Sequence, residues 1–218
     1  MKENKKRTQA LTVSAIMIAF SVSISAICAA MPFLNLPFGG GFTIASMLPI
    51  IIVAYMYGTK WGILTAFVYS IMQMLLGFNT VSAFFMPGDS QMTWWRAVLV
   101  VFIDYLLAYT VLGLGGIFRK KLSARKALVL GSIFAISLRY IAHIISGAIF
   151  FATWAEWFFT QDGFYSWGET IMNTFSGNAL SFVYSIIYNG FYMIPEIIIT
   201  TVVAVVISKI PQITKTKA

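Results

Sequence analysis

The stretch that decides the fold covers residues 138 to 151 and reads Leu138-Arg139-Tyr140-Ile141-Ala142-His143-Ile144-Ile145-Ser146-Gly147-Ala148-Ile149-Phe150-Phe151. It is apolar enough to cross a bilayer, yet it carries an arginine and, four residues later, the only histidine in the chain. At about 3.6 residues per turn, Arg139 and His143 share one face of a helix. A charge near the bilayer centre costs roughly 2.5–3.5 kcal/mol, so a partner must offset it. Asp104, in another apolar segment, is the candidate counter-charge.

The composition of the whole chain indicates an all-α integral membrane protein. Of its 218 residues, 59% are hydrophobic and only 10% are charged, whereas soluble domains carry about 25% charged residues. The single cysteine, Cys28, excludes an intramolecular disulfide and any cysteine-based metal site. No metal site and no cofactor are expected.

The basic residues cluster in a way that predicts the topology. Most of the 15 lysines and arginines lie at the two termini or in one loop, residues 119–126. Positive charge in alternate loops follows the positive-inside rule. It places both termini in the cytoplasm and requires an even number of spans. The net charge of +8 is thereby assigned to the membrane surface, and no nucleic acid partner is expected.

Six apolar segments are predicted to be transmembrane helices within a single membrane domain, residues 1–218. They cover approximately residues 10–31, 43–57, 61–77, 94–118, 127–152 and 178–207. The first could also be a signal peptide, but its apolar run is longer than the usual stretch of roughly 7–15 residues. The long segment between the fifth and sixth helices is rich in tryptophan and is expected to lie along the outer interface or to cap a site.

The first helix carries small residues at helical spacing, Ala15, Ala19 and Ser23. Such a stripe lets another helix approach closely. Periodicity alone leaves two readings open: ordinary packing within the protein, or docking to another membrane subunit.

Polar residues of three predicted helices fall at a similar depth. With a rise of about 1.5 Å per residue and a core roughly 30 Å thick, Asp104 and Arg139 lie near the middle of the membrane. His143, Tyr184 and Asn189 lie in the outer half. Several polar groups at one level fit a solvated pocket. The pattern favours a site for a polar or cationic heteroaromatic ligand, with stacking surfaces supplied by Phe151, Tyr184 and Tyr188.

Three other interpretations of these polar residues are open besides a ligand-binding site. An Asp104–Arg139 pair could serve only to hold the bundle together, with His143 a satisfied core residue. Asp104, His143 and Glu196 could form the proton path of a self-contained secondary transporter. An intramembrane enzyme is the least favoured, because G-x-S-x-G and H-E-x-x-H are both missing. No P-loop is present either, so no ATP hydrolysis is expected in this chain.

Five motifs give the sequence a family resemblance. They are Ala15-Ile16-Met17-Ile18-Ala19, Leu36-Pro37-Phe38-Gly39-Gly40, Ile103-Asp104-Tyr105, the stretch quoted above, and Tyr184-Ser185-Ile186-Ile187-Tyr188-Asn189. The chain resembles the thiamine-specific substrate-binding (S) components of bacterial energy-coupling factor (ECF) transporters, the ThiT/YuaJ-type family.

The resemblance implies a six-helix S-component fold in the bacterial cell membrane, with thiamine, or a relative such as its pyrimidine moiety, bound near the outer face. It also implies that a coupling membrane subunit and two ATPase subunits supply the energy. The implied ligand-binding residues are Asp104, Tyr105, Arg139, His143, Phe151, Tyr184, Tyr188 and Asn189, and Ala15 and Ala19 match the positions that pack on the coupling subunit. Some members have glutamate, lysine and tryptophan where this chain has Asp104, Arg139 and Phe151.

Overall fold

A computed structural model describes residues 2–36 and 40–214, and most of these residues are helical. The helices are α1 (Lys2–Ala29), α2 (Leu48–Tyr57), α3 (Thr59–Leu76), α4 (Phe78–Ala83), α5 (94–116), α6 (Ala124–Phe150), α7 (Ala155–Phe159), α8 (Tyr165–Thr174), α9 (Gly177–Ile207) and α10 (Pro211–Thr214). In the described ranges the only β pairing is an isolated bridge between Asn35 and Gly41. Three residues of the second predicted motif, 37–39, lie outside the described residues.

Two predicted helix limits need correction. The first helix begins at Lys2, not at residue 10, because the charged residues before the apolar run include no helix breaker. The second begins at Leu48 and not at residue 43. Proline is favoured in the first turn of a helix, so Pro49 belongs near its start. Ala45, with φ of 58°, also takes the chain out of a right-handed helical path just before it.

Helix α2 lies at the centre of the bundle. Its residues from Leu48 to Met56 are buried, so it presents almost no surface to lipid. The chain turns from α2 into α3 at Gly58, whose φ of 94° favours glycine. The Arg119 guanidinium donates a hydrogen bond of 2.7 Å to the Met56 carbonyl and so satisfies the end of α2.

The end of α5 packs very closely against its neighbours. A Cβ atom placed on Gly131 of α6 would lie 2.0 Å from the carbonyl oxygen of Gly115. The glycine-rich end of α5 is therefore a segment of close approach. This contact fixes α5 against α6, and the two helices carry Asp104 and His143.

Four helices in the described part of the chain, α1, α5, α6 and α9, are long and apolar enough to cross a membrane. The surface of the bundle is apolar, as expected for contact with lipid: Ile16, Phe20, Val202 and Val206 are all exposed. The 10-residue α2 is a shorter apolar helix. The expected six spans and the cytoplasmic position of both termini stay predictions.

Candidate ligand-binding site

A cavity of about 840 Å³ opens between α5, α6, α9 and the segments that connect them. All eight of the predicted ligand-binding residues line it: Asp104, Tyr105, Arg139, His143, Phe151, Tyr184, Tyr188 and Asn189. Its size is within the range of roughly 300–1,000 Å³ for small-molecule sites. The helix faces deduced from the sequence therefore converge on a single space.

The backbone around Asp104 departs from a regular α-helix. Residues Phe102–Leu107 of α5 form a π-helix, and α-helical geometry resumes at Ala108. A π-helical turn is wider than an α-helical one and often marks a functional site. Here it brings Asp104 and Tyr109, which are five residues apart, to the same cavity.

The Asp104 carboxylate binds two side chains of α6. Its Oδ1 atom lies 2.9 Å from Nδ1 of His143, and its Oδ2 accepts a hydrogen bond of 2.8 Å from the Ser146 hydroxyl. The Asp104–His143 contact joins α5 to α6. Serine and histidine are three residues apart on α6, so both side chains reach the same acid.

This contact determines what the other nitrogen of His143 can do. Since an ionised carboxylate only accepts hydrogen bonds, Nδ1 carries the proton. The buried Nε2 atom has no hydrogen-bond partner in the described part of the chain. A second proton there would leave a buried charged donor unsatisfied, so Nε2 presents a lone pair. The pair therefore combines an unpartnered acceptor nitrogen with a carboxylate, on two residues that line the cavity.

Arg139 does not pair with Asp104. Its guanidinium lies 4.1 Å from the centre of the Tyr109 ring and donates hydrogen bonds to the Tyr109 hydroxyl, at 2.9 Å, and to Sδ of Met47, at 2.8 Å. The acid that interacts with it electrostatically is Glu196. The expectation that Asp104 is the counter-charge of Arg139 is thus wrong, and so is the reading in which that pair holds the bundle together. The spacing of charges along a sequence does not show which helix faces meet.

Both the nitrogen and the oxygen of the Asn189 side-chain amide form hydrogen bonds within the protein. Its nitrogen donates to the carbonyl oxygens of Ser185, at 2.8 Å, and His143, at 3.3 Å, and its oxygen accepts from the Tyr192 hydroxyl. The close approach of α6 and α9 permits this, because a Cβ atom on Gly147 would lie 2.2 Å from the Ser185 hydroxyl. Asn189 therefore positions His143 and Tyr192 at the cavity wall.

Aromatic side chains form most of the remaining wall. The Tyr184 and Tyr188 rings lie 5.5 Å apart, and both contact Phe158 of α7. Phe151 makes an edge contact with Phe84 at 6.0 Å between ring centres. These rings present flat apolar surfaces and negative π-faces, which suit a flat cationic ligand.

Several lining residues were not predicted. They include Gly40, Arg96, Tyr109, Trp154, Trp157 and Tyr192. Ser146 belongs to the site through its hydrogen bond to Asp104. Ser146 could have been found, since it is one turn from His143. Tyr109 could not, because in a regular α-helix it would point away from Asp104. The tryptophans come from the segment between α6 and α9, which was expected either to lie along the outer interface or to cap a site.

Ala15 and Ala19 lie away from the cavity, on the exposed face of α1. The opposite face is buried and polar: Ser14 accepts a hydrogen bond of 2.9 Å from the Trp61 indole, and Ser25 accepts one of 2.8 Å from Gln73. These contacts attach α1 to α3 and leave the alanine face free of intramolecular packing.

These observations define an all-helical membrane protein built around a polar cavity with aromatic walls. Over residues 11–215 the sequence matches the model of the family described as thiamine transporter protein (Thia_YuaJ), and the chain belongs to this family. The predicted ThiT/YuaJ-type resemblance is confirmed. The chain is a multi-pass bacterial membrane protein of a transporter family and not an enzyme.

Two relatives agree with this assignment. The thiamine transporter ThiT of Bacillus subtilis (strain 168) is 28% identical over 215 residues, which cover 93% of this chain and 91% of the relative. A solved structure of ThiT from Listeria monocytogenes shares the fold with a TM-score of 0.61. That match covers 96% of this chain and 98% of the other at 18% identity.

Proposed function

We propose that this protein is the thiamine-binding S component of an ECF-type transporter, and that the cavity is its thiamine site. The observation that carries the proposal is the Asp104–His143 pair, at 2.9 Å, on two residues that line an aromatic cavity, together with the buried Nε2 atom of the histidine, which has no hydrogen-bond partner among the described residues. A ligand in the cavity would supply the hydrogen bond that this buried nitrogen lacks among the described residues.

The chemistry of thiamine fits both parts of this site. Its aminopyrimidine has an amino group that can donate to Nε2 of His143 or to Asp104, and its thiazolium carries a positive charge that the carboxylate offsets. Both rings are flat and can stack on Tyr184, Tyr188 or Phe151. Arg139, held by Tyr109 and Met47, borders the inner end of the site and limits how deeply a cation can enter.

In this proposal the protein has six transmembrane helices, cytoplasmic termini and an outward-facing site. It does not transport alone: because the sequence has no P-loop, a coupling membrane subunit and two ATPase subunits supply the energy. The exposed small-residue face at Ala15 and Ala19 is the docking face for the coupling subunit.

Calorimetry on the purified protein tests the ligand. We expect one thiamine to bind per chain, with weaker binding of the pyrimidine half and of the thiazole half tested separately. No heat with any of the three would reject the thiamine site. Tight binding of the pyrimidine half alone, with thiamine no better, would reassign the ligand.

Uptake into proteoliposomes tests the energy source. The chain alone should not accumulate thiamine under a proton gradient. Gradient-driven uptake by the chain alone would instead support the self-contained transporter, with Asp104, His143 and Glu196 as its proton path.

A further inference from the structure

Glu196 is a buried acid that does not line the cavity. It is 2% exposed, and both of its carboxylate oxygens accept hydrogen bonds from one residue that is 153 positions away in the sequence. The Thr43 amide donates to Oε2 at 2.6 Å, and the Thr43 hydroxyl donates to Oε1 at 2.8 Å. The acid thus holds the chain just before α2.

This arrangement is costly for a residue that only fills space. A buried carboxylate loses its hydration, and an apolar side chain of similar size would pack there without that loss. Arg139 is the cationic group that faces Glu196, and Thr43 supplies its two hydrogen bonds. The two hydrogen bonds to Glu196 fix the position of Thr43.

Thr43 in turn holds a strained turn. Its hydroxyl oxygen lies 2.7 Å from the Ser46 hydroxyl and accepts a hydrogen bond of 3.3 Å from the Ser46 amide. Between them Ala45 has a φ of 58°, in the left-handed region. A residue other than glycine persists there only where its surroundings impose it. The hydrogen bonds between Thr43 and Ser46 join the two ends of this turn and hold Ala45 in its left-handed conformation.

The turn connects directly to the wall of the cavity. The next residue, Met47, accepts the hydrogen bond from Arg139, and three residues before Thr43 lies Gly40, which packs on the Tyr192 ring. A Cβ atom on Gly40 would lie 3.3 Å from that ring. Arg139, Gly40 and Tyr192 all line the cavity.

We propose that Glu196 is a positioning residue for ligand binding, which acts through Thr43 and the turn at Ala45 to set Met47 against Arg139 and Gly40 against Tyr192. The inference rests on the proposed function of the cavity as a thiamine site. It assigns Glu196 to the geometry of the site and not to contact with the ligand.

The replacement Thr43→Val tests this with little change of shape. It removes the hydroxyl, which bonds both Glu196 and Ser46, and should weaken thiamine binding about ten-fold. Thr43→Ser keeps the hydroxyl and should bind like the wild type. The matched control is Thr200→Val, the same chemical change one turn along α9 from Glu196, at a buried hydroxyl without a hydrogen-bond partner among the described residues. Wild-type affinity in Thr43→Val would overturn the proposal, as would an equal loss in Thr200→Val.

Glu196→Gln provides a second route, since it keeps the volume and one acceptor oxygen. We expect a similar loss of affinity. Ala45→Gly, which relieves the left-handed strain, should recover part of the affinity when added to Thr43→Val. No recovery in the double variant would contradict the role of the turn.

A readout without ligand separates this proposal from the proposed function. Amide hydrogen exchange over residues 43–48 of the ligand-free protein should be faster in Thr43→Val than in the wild type and unchanged in Thr200→Val. Unchanged exchange in Thr43→Val would reject the positioning role even where thiamine binds. If the wild type did not bind thiamine, the proposed function would fail, and the same exchange measurement on Thr43→Val and on Glu196→Gln would still decide whether Glu196 holds the turn through Thr43.

Discussion

Two acids inside the helix bundle, the partly buried Asp104 and the buried Glu196, are used in opposite ways. The Asp104 side chain is 18% exposed, lines the cavity and bonds His143 and Ser146. Glu196 is 2% exposed, bonds Thr43 twice and does not line the cavity.

The difference lies in what each acid leaves unsatisfied. One partner of Asp104 is a histidine whose second nitrogen has no partner in the described part of the chain, and in the proposed function the ligand supplies that partner. Both carboxylate oxygens of Glu196, in contrast, already accept hydrogen bonds from the protein. A buried charge is therefore a sign of a binding site only when its network remains open.

The largest effect should come from Asp104→Asn. This change keeps the shape of the side chain but removes the charge that faces the cationic ring, and we expect thiamine to bind about one hundred-fold more weakly. Calorimetry measures it. Asp89→Asn is the matched control, because Asp89 also lines the cavity but is exposed. It should stay within about two-fold of the wild type, and equal losses in the two variants would mean that only the overall charge of the cavity matters.

His143→Ala should have the next largest effect. It removes the acceptor nitrogen and leaves Asp104 with one of its two partners, so we expect affinity to fall about thirty-fold. The loss should be much less than additive in the double variant with Asp104→Asn, because the two residues form one network. Additive losses would show that the histidine and the acid act separately.

Arg139→Lys should have a smaller effect. A lysine keeps the charge but not the planar group that stacks on Tyr109 while bonding Met47. We expect about three-fold weaker binding and a melting temperature lower by a few degrees. A loss as large as that of Asp104→Asn would mean that Arg139 contacts the ligand directly.

Large residues at Ala15 and Ala19 should have the smallest effect on binding. Ala15→Leu with Ala19→Leu should leave the affinity for thiamine within about two-fold of the wild type, because this face of α1 is exposed and far from the cavity. Uptake by the complete transporter should stop, because the helices can no longer approach closely. If binding were lost instead, α1 would be part of the ligand-binding core.

The sequence predicted the parts of the site that depend on one helix. Arg139 and His143 share a face because they are four residues apart. Depth in the membrane, aromatic character and the family resemblance were sufficient to predict that Tyr184, Tyr188 and Asn189 belong to the same site, and all three line the cavity. Composition and charge pattern were sufficient to predict a bundle of membrane helices.

What the sequence did not predict depends on contacts between distant segments. The π-helix at Phe102–Leu107 changes which residues accompany Asp104, and its widened turn has no signature in local propensity. The prediction that Asp104 is the counter-charge of Arg139 was wrong because the π-helix brings Tyr109 to the Arg139 guanidinium. The contact between Glu196 and Thr43 spans 153 positions and depends on the left-handed turn at Ala45, where a glycine would have been the usual signal.

We infer that Nε2 of His143 carries no proton and takes its hydrogen bond from the ligand, while Asp104 binds Nδ1. Nuclear magnetic resonance of protein labelled with ¹⁵N-histidine, purified without a histidine tag, tests this directly, because the chain has only one histidine. We expect a neutral His143 ring protonated at Nδ1, with an Nε2 resonance that shifts when thiamine is added to saturation. A ring protonated at Nε2, or an Nε2 resonance that does not change at saturation, would contradict it.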